Sequence, residues 1–220
     1  MKQISNFLLI LTIAGLSTIT ANAEDNKFER AFLFPQFEEG YVASKNNNTH
    51  LPALLNYDMI QECVLYYDED SILYRLDAAI VAYVVIGGRI FLPSGNKFYY
   101  ERIAVGGNEY YVRNKVKISS KGVSSGYGTY SETSSASTQS FMGRNNQIYS
   151  LEVDAKFGRS DESFVYIHDG KSFRRIYSLK SLTKNFKSHQ AVIESYAKEQ
   201  KINFAVVEDI KSIVEYALSL

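Results

Sequence analysis

Turn chemistry recurs about every ten residues from Phe32 to Ile118, and no helical periodicity intervenes, so this stretch is committed to short strands. Gly40-Tyr41-Val42-Ala43 runs into the polar Lys45-Asn46-Asn47-Asn48 turn. Leu51 to Tyr57 returns, Ile60 to Tyr67 follows, and Asp68-Glu69-Asp70-Ser71 turns the chain into Ile72–Leu76. Tyr83-Val84-Val85-Ile86 is a β-branched run closed by Gly87-Gly88. Arg89–Leu92, Lys97–Val105 and Tyr110–Arg113 complete the series. Strands this closely spaced leave no room for crossover helices, which predicts an antiparallel sheet, roll or sandwich.

Ser119 to Ser140 breaks the pattern. It holds nine Ser, three Gly and three Thr and almost no aliphatic residue, the composition of a loop. Further strands are expected at Ile148–Val153, Phe164–His168 and Ser172–Ile176, the last two joined by an Asp169-Gly170 hairpin turn. The period then changes to 3.6. Leu179, Leu182 and Phe186 share one helical face; Ser188 is placed to cap a second helix with Val192, Ile193 and Tyr196 on its apolar side. A third helix repeats Ile210, Ile213, Val214 and Ala217, although Ala205-Val206-Val207 offers no polar cap. The expected class is therefore α+β: a mainly antiparallel sheet with about three C-terminal helices packed on one face or edge.

The first 23 residues read as a cleaved export signal. Lys2 gives a positive start, Phe7–Ala14 a short apolar core, and Ala21-Asn22-Ala23 a small-x-small cleavage pattern. That apolar run falls short of a membrane-spanning helix, so no transmembrane segment is expected in the mature chain. The organisation expected is a signal peptide at 1–23, a β-rich domain at 24–177 carrying the 119–140 loop, and a helical segment at 178–220. The mature protein is placed in the periplasm or at the cell surface. Cys63 is the single cysteine and excludes an intramolecular disulfide; within an apolar strand pattern it reads as a buried, inert thiol. Basic and acidic residues balance at 24 each, which gives no footprint for nucleic acid. Seventeen Tyr and thirteen Phe stand beside no Trp. The Tyr load suits half-buried pleated surfaces, and the missing Trp weighs against a specialised sugar-stacking site.

No pattern assigns a catalytic residue, a metal ligand or a cofactor. His50, His168 and His189 lie in a loop, at a strand end and at a helix start, without metal-ligand spacing. Asp68-Glu69-Asp70 lacks the glycine and closing glutamate of a calcium loop and reads as a solvated turn. Gly87-Gly88, Gly106-Gly107 and Gly126-x-Gly128 do not open helices and read as turn glycines. Asn47-Asn48-Thr49 is an accidental sequon match. The feature that points to binding is the 119–140 loop, where Tyr127 and Tyr130 supply rigid aromatic area and Ser131, Thr133 and Ser134 adaptable hydrogen bonding.

Three segments in order carry a resemblance: Leu54–Asp58 with Tyr83–Phe91, then Gly126–Ala136, then Phe186–Phe204 with Glu208–Ile210 and Val214–Tyr216. In these the chain resembles an uncharacterised family of exported β-rich proteins from Bacteroidetes-type Gram-negative bacteria. The resemblance implies export, a β-rich body and a helical C-terminus, and it carries no catalytic residues. The expectation is a non-catalytic envelope binding or interaction module whose partner is an envelope protein or a glycan. Two alternatives stand beside it. One is a hydrolase of envelope polymers using carboxylates from Asp58, Glu62, Asp68 or Asp70, which requires two of them to converge. The other is a structural subunit that lends a sheet edge to a larger assembly.

Overall fold

A computed structural model of the chain describes residues 31–46, 49–120, 123–124, 130–131 and 157–220. Among these residues, ten strands form one antiparallel sheet. The chain starts in its middle with β1 (Glu38–Ser44) and moves outward through β2 (His50–Asp58), β3 (Cys63–Tyr67) and β4 (Leu73–Arg75). It returns to the free side of β1 with β5 (Val81–Ile86) and continues through β6 (Arg89–Ser94), β7 (Phe98–Val105) and β8 (Asn108–Arg113). A two-stranded ribbon, β9 (Val116–Ser120) with β12 (Phe157–Asp161), then leaves the sheet; a small pair, β10 (Val123–Ser124) with β11 (Tyr130–Ser131), lies between them in sequence. β13 (Phe164–His168) pairs with β8, and β14 (Phe173–Ile176) forms the far edge.

The α+β expectation holds, and the sheet, roll or sandwich choice resolves to one curled sheet. Among the described residues three α-helices follow: α1 (Leu179–Thr183), α2 (Gln190–Glu199) and α3 (Val207–Ser219). Ile193, Ile213 and Val214 pack on Tyr110, Val112, Val165 and Ile167, the alternate residues of β8 and β13 that share one face. Among the described residues, no helix is long and apolar enough to cross a membrane.

Curvature decides where the cores sit. Tyr57 on β2 and Phe91 on β6 are three strands apart, yet their rings stack at 5.6 Å on the helix-bearing face. Flat strands about 4.8 Å apart would hold them roughly 14 Å away, so the first half curls over that face and encloses its own core. In the second half, Phe173 on β14 and Tyr100 on β7 are again three strands apart and stack at 4.1 Å, but on the opposite face. The sheet therefore curls in opposite senses in its two halves, and the helices cover the outside of the second bend.

Polar groups fill the junctions. Glu101 on β7 is buried and accepts two hydrogen bonds of 2.6 Å from Arg89, and another of 2.8 Å from Asn114. Asn56, fully buried on β2, closes the irregular 33–36 segment onto the sheet. Its Oδ1 accepts from the Phe34 and Tyr57 N–H groups, and its Nδ2 donates to the Phe34 and Gln36 carbonyls.

Several local expectations shift. Residues 59–62 form the β2–β3 turn instead of belonging to a strand; Asp58 Oδ1 draws in the Ile60 and Gln61 N–H groups there. The β13–β14 hairpin turns over Gly170-Lys171, one residue beyond Asp169-Gly170, because the Asp169 N–H donates to Ser172 O and only Gly170 takes a positive φ. Ser188 caps nothing, since a 3-10 turn at Lys187–His189 leads directly into α2. Ser178 instead caps α1 in a reciprocal box with Ser181. The start of α3 has no side-chain cap, as Ala205-Val206-Val207 implied, but Asp209 reaches back to the Asn203 N–H at 2.8 Å.

Candidate binding site

The face of β7, β8, β13 and β14 opposite the helices carries aromatic and cationic side chains almost throughout. Strand alternation puts them there: Phe98, Tyr100 and Arg102 on β7 stand beside Tyr111 and Arg113 on β8. The pattern continues through Phe164, Tyr166 and His168 on β13 to Phe173 and Arg175 on β14. The rings form a connected set. Tyr100 meets Tyr166 at 5.1 Å, and Phe173 meets both Tyr111 and His168 at 4.9 Å. Tyr100 and Tyr111 are buried at its centre; Phe98, Phe164, Tyr166 and Phe173 are half-buried, and His168 and Arg175 are exposed.

Electrostatics separate the arginines. Arg113 lies 4.0 Å over the Phe98 ring and makes a two-pronged ion pair with Glu62, with Nη2 at 2.7 Å from Oε2. That hydrogen-bonded carboxylate holds the Arg113 guanidinium protonated even more firmly than usual. Arg102 lies 3.8 Å from Glu109. Arg175 stacks 3.9 Å over Phe164 and has no carboxylate within ion-pair reach among the described residues. Burial pushes the Tyr111 phenol up to about 12, helped by the hydrogen bond it donates to Glu109. Burial likewise raises Tyr100, with Tyr166 adding to it.

The chain leaves this end of the sheet through β9 and returns to it through β12. β9 begins three residues after Arg113, and β12 leads within three residues into Phe164. Backbone bonds anchor the ribbon's base: Val116 N–H to Met59 O at 3.0 Å, and Glu162 N–H to Lys115 O at 2.9 Å. Of the five loop residues expected to bind, Tyr130 and Ser131 form β11, paired with Ser124 and Val123. Tyr127, Thr133 and Ser134 lie outside the described residues, as does the Ile148–Val153 strand.

The four carboxylates of the hydrolytic reading divide. Asp58 is buried and holds the turn after β2; Glu62, in that turn at φ 54, is bound to Arg113. Asp68 and Asp70 lie elsewhere, on the rim of an open groove beside β2 and β3. For the edge-pairing reading, β4 has only three residues and β14 carries Arg174 and Arg175, features that discourage strand addition. Cys63 is a buried thiol, and His50 contacts Tyr83 through a 3.2 Å hydrogen bond. Among the described residues, no three His, Cys, Asp or Glu side chains gather as a metal-ligand set. No family model, curated protein or solved structure matches the chain.

The aromatic face escaped sequence reading because its residues come from four strands spread over 78 positions, Phe98 to Arg175. The alternation of Phe98-x-Tyr100-x-Arg102 and Phe164-x-Tyr166-x-His168 was the available signal.

Proposed function

We propose that this protein is an exported, non-catalytic interaction module of the cell envelope that binds a protein partner through its aromatic–arginine face. Tyr127, Tyr130, Ser131, Thr133 and Ser134 of the ribbon-borne loop add contacts. The observation that carries the reading is the exposed Arg175–Phe164 stack beside half-buried Tyr166 and Phe173, on the face that the helices leave uncovered. Tyr and Arg are the residue types that dominate protein-interface hot spots, where rigid rings and stacked guanidinium groups gain contact at small entropic cost. The connectivity supports using loop and face together, since both ends of the ribbon join the strands that carry Arg113 and Phe164.

The test is a cross-linked pull-down from native envelopes with mature residues 24–220, the Arg175→Glu variant and a variant lacking residues 119–140. A defined protein captured by the parent and lost from both variants, with thermal melts unchanged, is the expected result. Capture of a glycan instead would move the partner class. Equal capture by all three forms would refute the assignment of the face.

A further inference from the structure

The first half of the sheet curls over its own core and is open beside β2 and β3. There a groove of about 770 Å3 has Leu51, Tyr66, Leu76 and Ile80 among its lining and Asp68, Glu69 and Asp70 on its rim. The volume lies within the range of small-molecule sites. Two features separate it from ordinary surface. Leu51 and Ile80 are 59% and 53% exposed, so the groove shows water an apolar wall that a ligand would cover. Among the described residues its lining includes three carboxylates and no Lys, Arg or His. Asp68 accepts from the Asp70 N–H at 3.0 Å and the Ile72 N–H at 2.8 Å, which fixes the turn that presents the rim. The Glu69 and Asp70 side chains have no ion-pair partner among the described residues. Beside them Tyr66 stacks on Tyr74 at 5.7 Å, offering aromatic surface next to the negative charge.

We infer that this groove binds a small cationic amphiphile, with its apolar chain along Leu51, Leu76 and Ile80 and its ammonium head between the Asp68–Asp70 carboxylates and Tyr66. An apolar wall ending in carboxylates selects an apolar body ending in a positive charge, and aromatic faces reinforce that choice for alkylammonium groups. An anionic amphiphile of equal length would meet the same wall but be repelled at the rim. An extended peptide fits less well, because the edge strand on this side, β4, offers only three residues for backbone pairing. The site shares no residue with the aromatic–arginine face, so its fate is independent of that reading.

The experiment is isothermal titration of the mature chain with decyltrimethylammonium and with decyl sulfate, both below micelle formation, with thermal melts recorded at the same concentrations. Saturable one-to-one binding of the cation with the melt preserved, and at least about fivefold weaker binding of the sulfate, is expected. Glu69→Gln with Asp70→Asn should weaken the cation about fivefold, because two exposed charges are lost. Ile80→Asp, which blocks the apolar wall from an exposed position, should remove binding of the chain. Equal affinity for both probes, no saturable cation binding, heat that accompanies loss of the melt, or variants that bind like the parent would each overturn the inference.

Discussion

Asn56→Ala is the substitution most informative about how the first half of the sheet is held. The Asn56 amide is fully buried and makes four hydrogen bonds, two as acceptor and two as donor, all to backbone groups. Three of those groups belong to Phe34 and Gln36, in a segment that leaves the regular β1–β2 pairing between Phe32 and Glu38. Alanine removes all four bonds and leaves three buried backbone groups and the partly buried Gln36 carbonyl without that partner. At about 1 kcal/mol net per bond, the loss is about 4 kcal/mol. A water entering the vacated space returns part of it, so the expected cost is roughly 2–4 kcal/mol. For a chain of this size that corresponds to a Tm lower by roughly 4–16 °C. Urea unfolding followed by circular dichroism measures it directly, provided the slope of free energy against urea is unchanged. Asn56→Asp sharpens the test: a carboxylate can still accept from Phe34 and Tyr57, but it faces the Phe34 and Gln36 carbonyls where Nδ2 donated. Burial and those carbonyls raise the folded pKa of the new acid, so its stability is greatest below the unfolded value and falls as pH rises through the folded one. The Asp variant should therefore lose ground to the parent between about pH 4 and pH 7. An Asn56→Ala cost below about 1 kcal/mol would show that water satisfies this segment as well as the amide does.

Three further outcomes are expected. Gly40 lies in β1 between β2 and β5, and a Cβ there would stand 2.0 Å from the Val85 carbonyl oxygen, so Gly40→Ala should destabilise by several kcal/mol, roughly 3 or more, in chemical unfolding; a neutral result would sink this account of the β1–β5 contact. Among the described residues the buried Tyr99 hydroxyl has no hydrogen-bond partner, so Tyr99→Phe should be neutral or stabilise by up to about 1 kcal/mol, whereas a loss near 2 kcal/mol would reveal a hidden partner. Burial holds the Tyr57, Tyr99, Tyr110 and Tyr111 phenols above their ordinary value, Tyr111 at about 12. The unfolded chain then loses those protons first, so Tm should stay level up to about pH 10 and fall beyond it, and Tyr111→Phe should flatten that fall; a level Tm through pH 12 would contradict the raised values.

The strand pattern was legible in the sequence because each strand has one dry face and is bounded by chemically explicit turns, such as Gly87-Gly88 with both residues at positive φ. Errors arose where one signal had two meanings. Ile60 looked like the start of a strand, yet it occupies a turn held by Asp58, a side-chain-to-backbone effect that hydrophobic pattern does not register. Ser188 has the right chemistry for a cap, but the chain tightens into a 3-10 turn before α2, while Ser178, with its partner Ser181 three residues on, caps α1. The loop residues nominated for binding were visible through composition. The aromatic face was not, because its rings become neighbours only after β13 pairs with β8 across the ribbon excursion. The groove was equally hidden: Asp68-Glu69-Asp70 is a hydrophilic turn until the curl of the sheet sets it beside Leu51 and Ile80.

The double curl explains why both surfaces exist in one small sheet. A sheet bent in one sense throughout would bury one face along its whole width and leave the other to solvent. Here the helix-bearing face is concave around Tyr57 and Phe91, and the opposite face is concave around Tyr100 and Phe173. Each concavity brings distant strands close enough for side chains to meet, and each ends in a boundary that its own residues do not close. At the first, the apolar lining runs out to exposed Leu51 and Ile80; at the second, the rings run out to exposed His168 and Arg175. Between the bends, β7 serves both halves and carries Glu101, whose pairing with Arg89 and Asn114 offsets the cost of burying its charge. Breaking that network by Glu101→Ala would leave the partly exposed guanidinium and the buried Asn114 amide unmatched where the curvature changes sign. Melting monitored separately in each half should then show whether β7 makes the two bends a single cooperative unit.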